Sequence, residues 1–408
     1  MKIAFFTDTY LPNIDGVVVA ILNTRRMLEK LGHEVFIFAP EEIGKTNTSG
    51  TLGIPDDKVF HYPAIPFLPY PQYKLALSAH GARQVIKENN IDIIHSHGMG
   101  PMGFAAIYCA KRLNLPLIGT LHTNIQEATH YLWKYKTGKQ LFNRVAKSIA
   151  WKYLKAYYNE CNKTIVPSEY MAKLCRRHGI KNVAVLSNGI DLSRFKPPNT
   201  APKKISNRTQ GKKNIVALYV GRLVREKNLD VMIKAARYVE KKNPHIRFVI
   251  VGGGPASDYY KELTTRYRVA HLFTFVGPVN IEETINYYHN ADIFVFPSVF
   301  ETQGLSAIEA MACGLPVAGA RALAIPDLVK DGYNGYLFRP KDVKGCADAI
   351  LRTIAQRNKL RKNAIKTAQE HSLDKCVNAL TEIYSTVCHE HQHKHTGWEK
   401  WFDSFFRI

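Results

Sequence analysis

The same grammar is written twice in this chain of 408 residues. Short, uninterrupted apolar runs recur at KIAFF, VFIFA, DIIHS, PLIGTL, KTIVP and NVAVLS, and after a polar break again at NIVALYV, RFVIVG, FTFVG, DIFVFP and PVAG. Helix-length stretches lie between them, at 16–31, 78–89, 101–113, 229–241, 256–268, 281–290 and 304–313. Continuously apolar strands must be covered on both faces, and their alternation with helices builds parallel α/β sheets. Two such blocks predict two doubly wound α/β domains in tandem, as ~100–200 residues per domain also favours. Ligands are then expected at the carboxyl ends of the strands.

The break itself, PPNTAPKKISNRTQGKK at 197–213, is rich in Pro and Lys and holds no acid, which marks a linker or exposed loop. The expected organisation is 1–198, a linker at 199–213, 214–370, and a C-terminal helix at 371–408 that returns toward the first domain and ends in a His-rich, aromatic tail. An apolar content of 46% with 22% charged residues excludes a disordered chain. No apolar run approaches the roughly 18–20 residues of a membrane span, and Asp8 interrupts MKIAFF before a leader core forms, so neither a span nor a cleaved leader is expected. The seven cysteines (Cys109, Cys161, Cys175, Cys313, Cys346, Cys376, Cys388) are scattered without a C-x-x-C pair, which suits a reducing cytosol. Lys and Arg number 56 against 34 acids, a net +22 shared evenly by the two halves, and imply an anionic partner: nucleic acid, membrane surface or phosphorylated substrate.

Three motifs sit at strand ends. The first, TDTYLPNIDGVV at 7–18, sets Gly16 at a helix start, where free N–H groups and the helix dipole favour an anion; the same letters also fit an ordinary strand-to-helix turn. The second, GRLVREKN at 221–228, follows NIVALYV and offers Asn228 as an N-cap for the next helix. Two or three cations beside a helix N-terminus make a diphosphate site, or else a solvated basic turn. The third is FETQGLSAIEAMACGLP at 300–316. On a helix rising ~1.5 Å per residue Glu301 and Glu309 would stand ~12 Å apart, too far for the ~5 Å carboxylate pair of a double-displacement glycosidase. Glu301 therefore belongs to the loop, and Glu309 can point from the helix at a hydroxyl pair; a loop Glu with a buried, paired Glu is the plainer alternative.

Glu301 and Glu309 with seven residues between, the preceding P-S-V-F, the following G-L-P-V and G-R-L-x-x-E-K-N together resemble the retaining nucleotide-sugar glycosyltransferases of GT-B architecture, family 4, group 1, over residues 2 to about 370. Within that group the chain is similar to enzymes that put a hexose on diacylglycerol or related lipids, through FTDTYLPNIDGV at 6–17, AIPFLPYPQY at 64–73, HSH at 95–97, TLHT at 120–123 and ETQGL at 301–305. The resemblance implies two Rossmann-like domains facing across a cleft. Arg222 and Lys227 would hold the donor diphosphate, and the amides of Gln303, Gly304 and Leu305 would support it, with Gly16 also on the donor. Glu309 would bind the ribose, the backbone at Val279 the base. Glu301 and His122 would stand at the reacting sugar, and Tyr10, Asp15, Asn124 and Tyr131 would face the acceptor. A lone His is more often structural; the TLHT context reverses that for His122, while His95 and His97, at strand spacing, read mainly as structural. Where the family usually carries Gly-Gly-Ile-Pro-Glu, this chain has Leu323-Ala324-Ile325-Pro326-Asp327, and the turn is expected to survive.

A nucleotide-sugar reacts because its diphosphate can leave, and positive charge waiting where negative charge develops lowers the barrier. Arg222, Lys227 and the helix start at 304 would supply that charge, and no D-x-D pair occurs in the chain, so no metal or other cofactor is expected. The resemblance implies retention by same-face attack, with the departing phosphate taking the acceptor's proton. A UDP-hexose is expected over a GDP-hexose, with glucose as the sugar and an α-glycolipid as product.

Between Glu127 and Glu160 there is no acid, but there are seven cations: Lys134, Lys136, Lys139, Arg144, Lys147, Lys152 and Lys155. At 100° per residue, Phe142, Ala146, Ile149, Tyr153 and Tyr157 form an expected core face, with Arg144, Lys147, Trp151 and Lys155 opposite. An outward Trp among cations suits an anionic membrane surface; a solvated basic helix with a half-buried Trp is the alternative. The proline-rich stretch 62–71 would add an apolar contact or pack as a loop. At the C-terminus the alternating histidines of 389–395 read as an exposed tail, and Trp398, Trp401, Phe402, Phe405 and Phe406 would dock on the first domain or touch lipid. The whole reading is a cytoplasmic hexosyltransferase, peripheral on the inner face of the cell membrane, with a lipid acceptor. A soluble acceptor such as a sugar phosphate is the nearest alternative. A nucleotide-sugar epimerase leaves the glutamate pair unused, and a nucleic-acid binder leaves the phosphate loop unexplained, so no nucleic-acid partner is expected.

Overall fold

The computed structural model describes residues 1–13, 15–42, 56–67, 70–122, 140–198 and 214–406. They form two compact units, Met1–Gly189 with Leu373–Ile408, and Ile190–Ser372. The first is built on β1 (Lys2–Phe6), β2 (Glu34–Glu42), β3 (Val59–Phe67), β4 (Tyr70–Ala76), β5 (Ile93–Ser96), β6 (Leu117–Thr120), β7 (Lys163–Val166) and β8 (Val183–Val185), in the order β4-β3-β2-β1-β5-β6-β7-β8. All neighbours run parallel except β3 and β4. Period-two alternation sorts the side chains: Ala4, Phe6 and Phe38 pack under Met102 and Ala106 of α3 (Pro101–Leu113) and under Trp151 and Leu154 of α4 (Gln140–Tyr158). On the other face Ile3, Phe5 and Ile37 meet Ile21 and Leu28 of α1 (Gly16–Lys30) and Leu373, Val377 and Tyr384 of α12 (Leu373–Phe406). The layer is completed by α2 (Ala82–Glu88) and α5 (Glu169–Arg177).

The second unit carries β9 (Ile215–Val220), β10 (Ile246–Val251), β11 (Phe273–Gly277), β12 (Ile293–Phe296), β13 (Val317–Ala320) and β14 (Gly335–Phe338), all parallel, in the order β11-β10-β9-β12-β13-β14. Its helices are α6 (Leu229–Lys242), α7 (Ser257–Arg266), α8 (Ile281–Asn290), α9 (Leu305–Ala312), α10 (Ile325–Leu328) and α11 (Val343–Glu370).

Four readings from sequence are corrected here. The units divide at Gly189, not at 198, because Ile190 and Phe195 are buried in the second core, Phe195 meets the Tyr288 ring edge-on at 6.1 Å, and Arg194 pairs with Glu282 at 2.6 Å. The expected linker 199–213 lies outside the described residues. The stretch 62–71 contributes to β3 and β4, an antiparallel pair in which β4 is the edge strand and β3 is paired on both sides. The histidines of 389–395 continue α12, and His391 Nε2 lies 3.2 Å from the Asn114 carbonyl oxygen; the aromatic side chains beyond lie outside the described residues.

The fourth correction concerns α4. Trp151 is 7% exposed and stacks on His178 with ring centroids 3.9 Å apart, so the core face is Trp151, Leu154, Tyr157 and Tyr158. The expected core residues Ile149 and Tyr153 face outward. Lys147 and Lys155 are exposed as expected, and the side chain of Arg144 lies outside the described residues. Among the described residues no helix is long and apolar enough to cross a membrane.

Candidate active site

In the second sheet the winding reverses between β9 and β12, and the charged motifs follow those two strands. After β9 the chain passes Gly221 and Arg222 into a short 3₁₀ turn, Arg225–Lys227. Lys227 Nζ donates to Glu301 Oε1 at 2.6 Å, with the two side chains 23% and 13% exposed. The pair expected on the diphosphate and on the sugar thus meets directly. Arg222 is exposed, and its carbonyl accepts from Tyr219 Oη at 3.1 Å. Asn228 precedes α6 in the left-handed region (φ 54°) with no side-chain capping bond; its amide instead donates to Pro297 O at 3.3 Å, tying this turn to the loop after β12. The Val299 N–H donates to Glu226 O at 3.3 Å and closes the same seam.

The neighbouring strand ends converge on that seam. Gly221 N–H donates to Val251 O at 3.0 Å, Leu223 N–H to Gly253 O at 2.9 Å, and Gly252 N–H to Gly277 O at 2.8 Å. A Cβ on Gly252 would stand 2.1 Å from Gly221 O, so this approach requires glycine. Val279 follows, partly buried, before α8, whose Asn280 and Glu283 form a capping box.

The loop after β12 ends at buried Gln303 and at Gly304 (φ 95°), where a Cβ would lie 3.0 Å from the Phe296 ring. Helix α9 then begins at Leu305, and its first amides have no intrahelical acceptor. Glu309, on the same helix, is partly buried and accepts from Tyr288 Oη at 2.8 Å. Burial pushes its carboxyl up to about 7, against the lowering effect of that bond. A carboxyl so poised ionises readily when further hydroxyl donors arrive. Leu323 takes φ 47° where the resembling family has glycine, yet the turn survives: the Ala324 N–H donates to Glu301 O at 3.4 Å.

In the first unit the winding reverses between β1 and β5, and a histidine cluster lies at the ends of β5 and β6. His95 is buried between Tyr384 Oη (2.6 Å from Nδ1) and Thr120 Oγ1 (2.7 Å from Nε2). His97 Nδ1 shares a proton with His122 Nε2 at 3.1 Å, and the buried His97 Nε2 has no partner among the described residues. Burial holds His122 down to about 4 and His95 to about 3, and it lowers His97 well below its ordinary value. The cluster is therefore neutral near pH 7 and can exchange hydrogen bonds with hydroxyls without adding charge. It borders a pocket also lined by Thr24, Ser187, Asn188 and Cys376.

The acceptor-side expectations fare unevenly. Asp15 caps α1, its Oδ1 accepting from the Val17 and Val18 N–H groups at 2.9 Å each and its Oδ2 from Thr9 Oγ1 at 3.3 Å, so both carboxylate oxygens are already engaged. Tyr10 is 6% exposed and belongs to the hydrophobic cluster that holds Ile21 and Leu28. Gly16 opens α1, and a Cβ there would meet nothing within 4 Å, so packing does not demand glycine. Asn124 and Tyr131 lie outside the described residues.

Three features of these sites were not anticipated from sequence. Gly252-Gly253-Gly254 after RFVIV was a legible turn signal. Asp8 accepts from the Gly100 and Met102 N–H groups at 2.7 and 3.0 Å, at the start of α3, and burial raises its pKa. Tyr288 reaches Glu309 from another helix, which no local pattern marks.

Profiles of known families match both units: "Glycosyltransferase Family 4" over residues 14–194 and "Glycosyl transferases group 1" over 201–371. The alpha-monoglucosyldiacylglycerol synthase of Acholeplasma laidlawii is 30% identical over 349 residues, 84% of this chain and 86% of that protein. The GDP-mannose-dependent alpha-mannosyltransferase of Corynebacterium glutamicum is 29% identical over 84% of this chain and 78% of its own length. Among solved structures, Anabaena HepE in complex with UDP superposes with a TM-score of 0.73 at 19% identity, covering 95% of this chain and all of that one. The two parallel sheets, the charged seam at the second switch point and these matches agree: the chain belongs to the group 1, family 4 glycosyltransferases of GT-B fold.

Proposed function

We infer that this glycosyltransferase moves a hexose, with glucose as the expected sugar, from a UDP-activated donor to the hydroxyl of a membrane lipid such as diacylglycerol, with retention at the anomeric carbon and without a metal. The observation that carries the donor half is the Lys227–Glu301 ion pair at 2.6 Å beside Arg222 and the start of α9. An arriving diphosphate competes with Glu301 for Lys227, so donor binding itself would release Glu301 to accept hydrogen bonds from the sugar. As the bond from the anomeric carbon to the diphosphate breaks, negative charge grows on phosphate oxygens; Arg222, Lys227 and the amides of Gln303, Gly304 and Leu305 would meet it. The acceptor oxygen forms its bond on the same face, and its proton passes to the departing phosphate. Glu309 would hold the ribose hydroxyls, Val279 the base, and neutral His122 a sugar hydroxyl.

The acceptor half is supported by the Acholeplasma relative, whose name specifies glucosyldiacylglycerol synthesis. With a lipid acceptor and a nucleotide-sugar donor, the enzyme would work from the inner, cytoplasmic face of the cell membrane. A soluble acceptor is the second reading, favoured by the D-inositol 3-phosphate glycosyltransferase of Saccharomonospora viridis, 28% identical over 90% of this chain. The test incubates the protein with UDP-glucose, UDP-galactose or GDP-mannose and either detergent-dispersed diacylglycerol or a sugar phosphate, with and without chelator. Mass spectrometry and the anomeric proton coupling should show an α-glucosyl lipid in both conditions. Product from GDP-mannose alone overturns the donor assignment, product only with sugar phosphates the acceptor, an inverted anomer the stereochemistry, and a metal-restorable loss in chelator the metal-independent chemistry.

A further inference from the structure

Helix α4 carries two apolar stripes, and only one of them is core. The other, Val145, Ile149 and Tyr153, repeats every fourth residue and stands 51%, 62% and 38% exposed. Alongside, α3 presents Phe104 and Tyr108, each 52% exposed and also four apart. The Phe104 and Tyr153 rings meet edge to face with centroids 6.0 Å apart, and Tyr153 Oη donates to the Met99 carbonyl just before α3, so the stripes join into one patch. Neither helix contains an acid, while together they carry Lys111, Arg112, Arg144, Lys147, Lys152 and Lys155. The Arg112 guanidinium lies over the Tyr108 ring at 5.6 Å, and Lys152 is exposed beside Tyr153. Lys111 is held by Glu160 at 2.7 Å.

A contiguous apolar patch bordered by one sign of charge marks a binding surface, and its chemistry selects the partner. A second copy in two-fold contact would set these cations against their own equivalents. An anionic bilayer satisfies both components: aliphatic and aromatic side chains enter the headgroup–acyl boundary, tyrosine hydroxyls stay at its wet edge, and cations meet phosphates. We propose that the α3–α4 patch, Phe104, Tyr108, Val145, Ile149 and Tyr153 with Arg112 and Lys152 beside it, docks this enzyme on anionic membrane lipid. The proposal extends the lipid-acceptor reading but rests on the patch itself.

The test is co-sedimentation with vesicles of equal parts phosphatidylcholine and phosphatidylglycerol, against vesicles of phosphatidylcholine alone. The wild type should bind the anionic vesicles and lose binding as salt rises from about 50 to about 500 mM, as the screening length shrinks. Ile149→Asp combined with Val145→Asp should weaken binding about tenfold or more, since burial of both side chains in the boundary is lost. Arg112→Gln with Lys152→Gln should also weaken it and flatten the salt dependence, while Tyr267→Ser, on the second unit, should not. Circular dichroism and the thermal midpoint check folding, and Ile149→Ser replaces the Asp variants if these unfold. Wild-type pelleting by the folded patch variants overturns the proposal, as does a wild type that ignores anionic vesicles, or one that forms a dimer which Ile149→Asp splits. Activity on dispersed diacylglycerol separates the two readings. Patch-dependent vesicle binding without any lipid product refutes only the acceptor assignment, and lipid product with patch-independent binding refutes only the docking surface.

Discussion

Replacing Glu309 by Gln should stabilise the protein increasingly as the medium is made alkaline, while weakening its hold on nucleotide. In the fold, burial holds this carboxyl up to about 7, against 4.5 for the ordinary group. Between those values the folded state keeps a proton that the unfolded chain has released. Stability follows the protons bound by the unfolded state minus those bound by the folded one, a negative difference here, so wild-type stability falls as pH rises from about 4.5 to about 7 and then levels. At about 1.4 kcal/mol per pKa unit the shift corresponds to about 3 kcal/mol, a ceiling because Glu309 is only partly buried and solvent screens the charge. Glutamine keeps an acceptor for Tyr288 Oη and carries no charge, so the penalty vanishes in the variant. Urea unfolding of both proteins from about pH 5 to about pH 8 should show a stability difference that grows in favour of the variant by roughly 1–3 kcal/mol. The histidine cluster is common to both proteins and cancels. A difference that is constant or shrinks with pH refutes the raised carboxyl. Calorimetry with UDP gives the second reading: near pH 6, ribose hydroxyls should favour the ionised carboxylate and expel a proton, a release absent in the variant. Unchanged UDP affinity in Glu309→Gln detaches this residue from the ribose.

Lys227→Ala should cost on the order of 2–4 kcal/mol in kcat/KM, and Glu301→Gln should lower kcat while UDP affinity is kept or raised, since Lys227 loses its competitor; because the two form one ion pair, the double variant should lose less than the sum, and wild-type turnover in either single variant refutes its role. Gly304→Ala should destabilise by about 1–3 kcal/mol in thermal unfolding, since φ is 95° and the new Cβ would crowd Phe296 at 3.0 Å; an unchanged midpoint contradicts that geometry. With His122 held down to about 4 and His95 to about 3, the folded state refuses protons that the unfolded chain takes below its ordinary histidine value of 6.5, so stability should fall as pH drops from about 6.5 toward 4. Replacing His95 by Gln should flatten that fall, and in a Glu309→Gln background, which lacks the glutamate's own step near 7, kcat/KM should show no histidine step between about pH 5.5 and 8; a step near 6.5 there would place a solvated histidine at the chemistry.

What the sequence made legible was whatever repeats or whatever stands at a strand end. Continuous apolar runs mark buried parallel strands because nothing polar interrupts them, and β9 and β12 both follow that rule. Arg222, Lys227, Glu301 and Glu309 were readable because chain direction alone puts them after those strands. Their mutual arrangement was not. The contact between Lys227 and Glu301 spans 74 residues and depends on β9 and β12 being neighbours, a fact of strand order that neither motif carries. Tyr288 and Asp8 were missed for the same reason, since each satisfies a group that is distant in sequence.

The phase of α4 shows the limit most sharply. Apolar residues occupy both sides of this helix, so periodicity establishes that it is a helix without saying which stripe faces in. The sequence argument gave Trp151 to the membrane because tryptophan among lysines is a familiar interfacial pattern. In the fold the indole is claimed by His178, which lies past the following strand and helix, and Tyr157 is fixed by donating to Gly98 O at 2.8 Å. Once those two contacts fix the rotation, Val145, Ile149 and Tyr153 have no alternative but to face outward, and the cations that share their helix remain acid-free company for them. The error therefore changes which residues a membrane would meet, and it sharpens the test. If Trp151 were the lipid contact, Trp151→Ala would loosen vesicle binding and leave the fold intact; a core indole predicts the reverse, a loss of stability of about 3–5 kcal/mol with the exposed patch untouched.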